Sequence, residues 1–193
     1  MKELSLNILD IAENSAKAGA KNIRIELTET DTLLMITVSD DGCGMKPDLL
    51  QSVVDPFTTT RTTRKVGLGI PLFKLAAEQT GGTLTIVSRH VSAFPAEHGT
   101  VVTARFHKDH IDCAPLGDTV STMLTLVQGH PDIDFLFVHT APGRTVRLDT
   151  KEMREVLLNV PLDSYEVLQW ISEYLRGQYA ENPEADGTCD TES

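Results

Sequence analysis

The spacing of apolar and polar residues predicts that the first half of the chain combines helices and strands. Apolar residues recur every three or four positions in some segments, as on the buried side of a helix, and alternate with polar residues in others, as in a half-buried strand. The predicted helices cover residues 5–18, 48–54 and 70–80, the predicted strands cover 22–28, 34–38, 83–89 and 99–106, and a polar loop covers 58–66. This order predicts an α+β fold, built as a layer sandwich.

The same patterns predict a small αββα extension in the second half of the chain. Helices are predicted over residues 118–128, 151–158 and 164–177, and strands over 134–140 and 145–148. The last helix carries an apolar stripe of Val167, Trp170, Ile171 and Tyr174, which favours core packing over a partner interface.

We therefore predict a first domain at residues 1–108, a C-terminal extension at 109–178 and a tail at 179–193. The tail is predicted to be disordered, because from Glu181 onward it has five acidic residues and no basic one.

Composition narrows the classes of function. The chain has 193 residues and a net charge of −11, which argues against a nucleic-acid surface, since duplex binding relies on clustered Lys and Arg. No apolar run approaches the roughly 20 residues that cross a bilayer, and the N-terminus lacks the pattern of a signal peptide, so we expect a cytoplasmic protein without membrane contact. Cys43, Cys113 and Cys189 have no metal-ligand spacing and are expected to stay reduced.

Three segments carry residues suited to nucleotide chemistry. The first is the helical stretch that contains Asp10, Asn14 and Lys17; the second is Asp40-Asp41-Gly42-Cys43-Gly44-Met45 at the end of a predicted strand. The third combines Asp55-Pro56-Phe57-Thr58-Thr59-Thr60-Arg61 with Gly67-Leu68-Gly69-Ile70 at the start of the second long helix. Together, and in this order, they resemble the Bergerat-fold ATPases, which include DNA gyrase B subunits, 90-kilodalton heat-shock chaperones, sensor histidine kinases and mismatch-repair ATPases. The resemblance covers about the first 106 residues. It implies a two-layer α/β sandwich with helices on one face of a mixed, mostly antiparallel sheet, and binding of ATP and Mg²⁺.

The resemblance implies that the first helix holds the metal. Asn14 is expected to give its amide oxygen to Mg²⁺, and Asp10, four residues earlier, lies on the same side of the helix. Branches that hydrolyse ATP have a glutamate at the position of Asp10, so a hydrolytic role for this shorter residue and a solvated helix position are both open. Lys17 corresponds to a basic residue of histidine kinases that contacts the nucleotide; an exposed pair with Glu13 is the alternative.

The resemblance implies that Asp40 accepts a hydrogen bond from the adenine amino group. Gly42 and Gly44 would let the backbone approach the base where a side chain would collide. Met45 is expected to pack on the base. Thr100 would support the aspartate, with a plain strand residue as the alternative.

The phosphates are expected at the lid and at the start of the second long helix. Arg61 would neutralise charge on the γ-phosphoryl group, and free backbone amides at the helix start would bind the phosphates. The residues expected to contact the nucleotide here are Thr58, Arg61, Val66, Gly67, Leu68 and Gly69. The family pattern has a glycine two residues before Gly67, where this chain has Lys65.

The resemblance leaves three functions open. The first is a histidine-kinase-like protein that transfers the γ-phosphoryl group in trans to a partner protein, because the ATP module is predicted to start at the first residues, so that no phosphoacceptor hairpin is expected, and the six histidines are expected on the surface or in loops. The second is an ATP-gated regulatory module, similar to anti-sigma factors, with slow or no hydrolysis. The third, a clamp ATPase of mismatch repair, is opposed by the acidic balance and by Lys17. A homodimer is compatible with each.

Overall fold

The fold is a single mixed sheet of six strands with helices packed against it, in a computed structural model that describes residues 3–54 and 68–181. The helices are α1 (Leu4–Lys17), α2 (Pro47–Val54), α3 (Gly69–Gln79), α4 (Thr119–Gly129), α5 (Thr150–Leu157) and α6 (Tyr165–Ala180). The strands are β1 (Asn22–Glu29), β2 (Leu33–Asp40), β3 (Thr83–Arg89), β4 (Gly99–His107), β5 (Asp134–Ala141) and β6 (Arg144–Asp149). The α+β class with a mostly antiparallel sheet is confirmed.

The spatial order of the strands is β3-β4-β2-β1-β5-β6. All neighbouring pairs are antiparallel except β1 and β5, which run parallel, with Ile23 opposite Phe135 and Ile25 opposite Phe137. Parallel strands need a long crossover between them, and here the chain between β1 and β5 forms the rest of the first domain and α4. Strands from both sides of the boundary predicted after residue 108 therefore share one sheet.

One face of the sheet forms the core. Alternate residues of the central strands are buried, Ile23, Ile25 and Leu27 on β1 among them, and they pack with buried residues of α1, α3, α4 and α6. Phe73 of α3 and Phe106 of β4 are both fully buried, with ring centroids 5.6 Å apart. Replacing such a phenylalanine by alanine costs about 3–5 kcal/mol, so this contact fixes α3 against the sheet.

The final helix differs from its prediction in two respects. It runs to Ala180, so Tyr179 and Ala180 belong to a helix, and the predicted start of the disordered tail at residue 179 is wrong by two residues. Of the predicted core stripe, Val167 and Ile171 are buried, whereas Trp170 and Tyr174 are 50% and 43% exposed. Residues 182–193 of the predicted tail lie outside the described part of the chain.

His139 corrects the expectation that all histidines lie on the surface or in loops. It lies on β5 with 1% of its surface exposed. Its Nε2 lies 2.8 Å from the carboxylate of Glu29, and its Nδ1 lies 2.8 Å from the hydroxyl of Tyr179. A carboxylate only accepts, so Nε2 donates, and the buried ring has partners on both nitrogens. The cluster ties the end of β1 to β5 and α6.

Within residues 3–54 and 68–181, no helix combines the length and the apolar character needed to span a membrane.

Candidate functional site

A pocket of about 230 Å³ opens between α1, α2 and the ends of β2 and β4. Its walls are mainly apolar, with Ile11, Ala18, Met45 and Val102 among them. The polar groups at the pocket are few, which is typical of a small-molecule site where one or two groups fix the orientation of the ligand. They include Asn14, Ser15, Asp40 and Thr100.

Asp40 presents its carboxylate to this pocket at the end of β2. Its Oδ2 accepts a 2.6 Å hydrogen bond from the hydroxyl of Ser15 on α1, and its Oδ1 accepts a 2.9 Å bond from the backbone N–H of Gly42. Each carboxylate oxygen has more than one lone pair, so the carboxylate is held in one orientation and still has capacity to accept from a ligand. An amino group on a flat, apolar ring suits such an acceptor in an apolar pocket.

The neighbouring Asp41 has a different role. Its carboxylate accepts bonds from the backbone N–H groups of Lys21 and Asn22, at 2.7 and 2.9 Å, and from the side-chain amide of Asn22 at 2.7 Å. Burial opposes ionisation, but these hydrogen bonds outweigh it and lower the pKa of the Asp41 carboxyl below its ordinary value. Asp41 thus holds the loop after β2 against the start of β1.

Both predicted glycines stand where the backbone is crowded. A Cβ on Gly42 would lie 3.0 Å from the Cβ of Ala18, and a Cβ on Gly44 would overlap the carbonyl oxygen of Arg89. Gly44 also has a φ of +68°, in the region that favours glycine. The close approach of this loop to the end of β3 therefore requires glycine at position 44, whereas a side chain at position 42 would require Ala18 or the Asp40 carboxylate to shift by a few tenths of an ångström.

Thr100 acts on the loop through Ser88. Thr100 lies opposite Asp40 in the ladder of β2 and β4, and its hydroxyl lies 2.8 Å from that of Ser88. The hydroxyl of Ser88 in turn accepts a 2.7 Å bond from the backbone N–H of Met45. Met45 is half-buried and lines the pocket, as a residue that packs on a base must.

The first helix and the start of α3 meet at the open side of the pocket. Asn14 is exposed and lines the pocket, and Asp10 is exposed one turn earlier. A Cβ on Gly69, the first residue of α3, would lie 3.1 Å from the Cβ of Asp10, so the free amides at this helix start lie beside that carboxylate. Leu68 precedes the helix and is 69% exposed.

These groups fit a divalent cation with phosphates. Asn14 and Asp10 offer oxygen atoms of the kind that Mg²⁺ takes from proteins, and the start of α3 supplies positive partial charge for an anion. Lys17 is exposed and is not among the residues that line the pocket. The expected contacts of Thr58, Arg61, Val66 and Gly67 fall outside the described residues.

Sequence reasoning missed two hydroxyls, those of Ser15 and Ser88. Ser15 stands at helical spacing among the apolar residues of α1, and a hydroxyl in such a stripe is the sequence signal of a buried polar partner. In the structure Ser15 is 4% exposed. Ser88 gives no comparable signal, because serine in a strand of alternating pattern is ordinary.

Comparisons with known proteins agree with this geometry. Residues 1–110 match the family model described as histidine kinase-, DNA gyrase B- and HSP90-like ATPase. A putative sensor histidine kinase, NtrY-like, of Rickettsia bellii is 26% identical over 112 residues, which cover 58% of this chain and 17% of that protein.

Two solved structures share the fold beyond the matched family segment. The N-terminal domain of a DNA repair protein has a TM-score of 0.54 at 16% identity, and the match covers 77% of this chain and 53% of that protein's chain. The Aquifex aeolicus MutL ATPase domain complexed with ADP has a TM-score of 0.52 at 15% identity, and the match covers 82% of this chain and 70% of that protein's chain. At these identities the likeness concerns the fold.

Proposed function

The chain belongs to the histidine kinase-, DNA gyrase B- and HSP90-like ATPase family, and from this premise we propose that it binds Mg-ATP at Asp40 and transfers the γ-phosphoryl group to a partner protein. The attacking atom would be a His nitrogen or a Ser oxygen of the partner. It would form a bond to the γ-phosphorus while the bond to the β,γ-bridging oxygen breaks, and ADP would leave with that oxygen.

The observation that carries the proposal is the oriented carboxylate of Asp40. The bonds from Ser15 and from Gly42 hold it, and the pocket around it is mainly apolar, so a ring with an amino group fits beside it. Both features support recognition of the adenine amino group. The open side of the pocket, where Asn14 and the start of α3 lie, is then the side for the phosphates.

The residues at the open side would divide the work on the phosphates. Bound Mg²⁺ would neutralise charge on the phosphate oxygens, and the Asn14 amide oxygen would be its protein ligand. The amides at the start of α3 would bind phosphate oxygens directly, and Arg61 would stabilise charge that builds on the γ-phosphoryl group. Asp10 lies beside Gly69, and its negative charge would repel phosphate groups bound there. Bound Mg²⁺ would therefore be needed to hold the phosphates close to this carboxylate.

Calorimetry with Mg-ATP tests the binding step. We expect saturable binding to the native chain and a loss of at least tenfold in affinity for Asp40→Asn, because the amide presents a donor or a weaker acceptor to the adenine amino group. Asp31→Asn is the matched control: it makes the same change at an exposed turn position and should bind as the native chain does. Equal affinities for all three chains would refute the site.

A radiolabel assay separates transfer from gating. ATP labelled at the γ-phosphate is incubated with the protein and a co-purified partner, and the label is followed in protein and in free phosphate. Label on the partner, absent with Asp40→Asn, supports the phosphotransferase. ATP binding that changes the affinity for the partner without phosphoryl transfer would instead support the ATP-gated module. In that case the continuous sheet from the pocket to β5 and β6 would connect the nucleotide site to the C-terminal elements.

A further inference from the structure

An open apolar groove lies between α5 and α6, beside the edge strand β6. It encloses about 650 Å³. Its apolar walls are formed by Met153, Val156 and Leu157 of α5 and by Val167, Trp170 and Tyr174 of α6. Val156 is 82% exposed, and the rings of Trp170 and Tyr174 stack 4.8 Å apart while half exposed to solvent. A soluble protein rarely leaves such a patch uncovered without a binding role.

The spacing on both walls suits a third helix. The apolar residues of α5 stand at i, i+3 and i+4, and those of α6 stand at i, i+3 and i+7. Helices pack by placing ridges of side chains at these spacings into the grooves of a neighbour, and an amphipathic helix in a groove between two helices is a recurrent mode of recognition.

The charges at the groove indicate the character of that helix. Three carboxylates, Asp149, Glu152 and Glu166, line the groove beside a single cation, Arg147. Arg147 is already paired with two of them, at 2.9 Å from Asp149 and at 2.7 and 2.8 Å from Glu152. The groove therefore carries a net negative charge, and a helix with basic residues beside its apolar face is complementary to it.

Two occupants from this chain itself fit less well. Residues 182–193 contain acidic residues and no large apolar or basic side chain, so they cannot fill the groove. A second copy would bring the same acidic groove residues together in a chain of net charge −11.

We propose that the α5–α6 groove is a docking site for a partner protein that presents an amphipathic helix with Lys or Arg flanking its apolar face. The groove is lined by residues of β6, α5, α6 and the α5–α6 connection, none of which lines the nucleotide pocket, so the proposal is independent of phosphoryl transfer.

Fluorescence of Trp170, the sole tryptophan of the chain, reports directly on the groove. The probe is a synthetic helical peptide with Leu at positions i, i+3, i+4 and i+7 and Lys at its flanking positions; a second peptide has Glu in place of Lys. We expect the Lys peptide to shift the emission to shorter wavelength with saturable binding, because it removes water from the ring. The Glu peptide should bind at least tenfold more weakly.

Two variants of equal charge locate the contact. Val156→Asp places a carboxylate in the groove, and Ile111→Asp makes the same type of change at a residue that is 95% exposed and lies away from the groove. Val156→Asp should weaken binding of the Lys peptide at least tenfold, and Ile111→Asp should leave it within twofold of the native value. Both positions are exposed, and thermal unfolding verifies that both variants are folded.

Three kinds of outcome would overturn the proposal. The first is equal binding to the two variants, which would mean attraction to the acidic chain as a whole. The second is absence of binding by the Lys peptide, or equal binding by both peptides. The third is a dimer, measured by sedimentation, that Val156→Asp dissociates and Ile111→Asp does not, which would assign the groove to a second copy of this chain.

Discussion

The hydroxyl of Ser15 donates a 2.6 Å hydrogen bond to Oδ2 of Asp40, and this bond joins α1 to the end of β2. Ser15 is 4% exposed, so water does not compete for the bond. The backbone carbonyl of Ile11 is a second possible acceptor at 3.2 Å, but the single hydroxyl proton favours the shorter, charged partner. The orientation of the carboxylate at the pocket thus depends on a residue of another element.

Ser15→Ala should weaken Mg-ATP binding by about tenfold or more, since a hydrogen bond to a charged group is worth roughly 1.5 kcal/mol or more. The carboxylate would remain but would no longer be held in one orientation. Calorimetry measures the affinity. Thr125→Ala, which removes an exposed hydroxyl on α4, is the control and should bind normally. Affinity unchanged in Ser15→Ala would show that the hydroxyl does not position the aspartate.

Gly44→Ala should lower the free energy of unfolding by about 2 kcal/mol or more and abolish ATP binding. The new methyl group would overlap the carbonyl oxygen of Arg89, and the φ of +68° is itself unfavourable for alanine. Gly129→Ala is the matched change: its Cβ would meet nothing within 4 Å at the last residue of α4. The free energy of unfolding of that variant should rise by up to about 1 kcal/mol. Denaturant unfolding compares the two, and similar effects at both positions would contradict the crowding.

Stability should fall in acid as Glu29 takes up a proton. The hydrogen bond from His139 is the main cause that lowers the pKa of Glu29 to about 2 from an ordinary 4.5; burial opposes it, and Lys108, 2.6 Å away, contributes. A carboxyl group whose pKa is lowered by folding stabilises the folded state at pH values above its pKa in the unfolded chain. This stabilisation is lost as the pH falls from about 4.5 to 2. The side chain is 15% exposed, and the shift corresponds to about 3 kcal/mol.

Unfolding by denaturant at a series of pH values measures this loss. Glu29→Gln should be less stable than the native chain at pH 7 and should show a flatter profile over the same range. Glu97→Gln, whose side chain is 75% exposed, should keep the native profile. A profile of Glu29→Gln as steep as the native one would assign the acid transition to other carboxyls.

Gln178→Ala should promote self-association through the edge of the sheet. Its side chain accepts a 2.8 Å bond from the backbone N–H of Arg147 and donates a 3.0 Å bond to the backbone carbonyl of the same residue. These two bonds satisfy backbone groups at the free edge of β6. Without these bonds the strand would offer unpaired backbone groups to another chain. Light scattering after size exclusion should detect the association. The free energy of unfolding should also fall by about 1 kcal/mol. Gln169→Ala, at an exposed position of the same helix, should stay as the native chain.

The helices and strands were predictable because local spacing determines them. The predicted strand at residues 83–89 coincides with β3, and the predicted helix at 70–80 differs from α3 by one residue at each end. The loop after Asp40 was also predictable, because glycine adopts the backbone conformations of a close turn, positive φ included, without the steric cost of a side chain.

The partners of polar side chains were not predictable from local spacing. His139 was expected at the surface, yet its partners Glu29 and Tyr179 stand 110 and 40 residues away in the chain. Local spacing likewise does not reveal the partner of Ser15, because Asp40 lies 25 residues further on. Such pairs form only when separate elements pack together.

The helices, the strands and the order of the nucleotide motifs follow from residues that are close together in the chain, and the acidic balance follows from composition alone. Packing is responsible for the parallel pairing of β5 with β1 and for the apolar groove between α5 and α6. It also places Asp40 at the pocket, while the carboxylate of Asp41 accepts bonds from backbone N–H groups. These features depend on which surfaces meet when the chain packs, and the free energy of that packing is shared among residues that are distant in sequence.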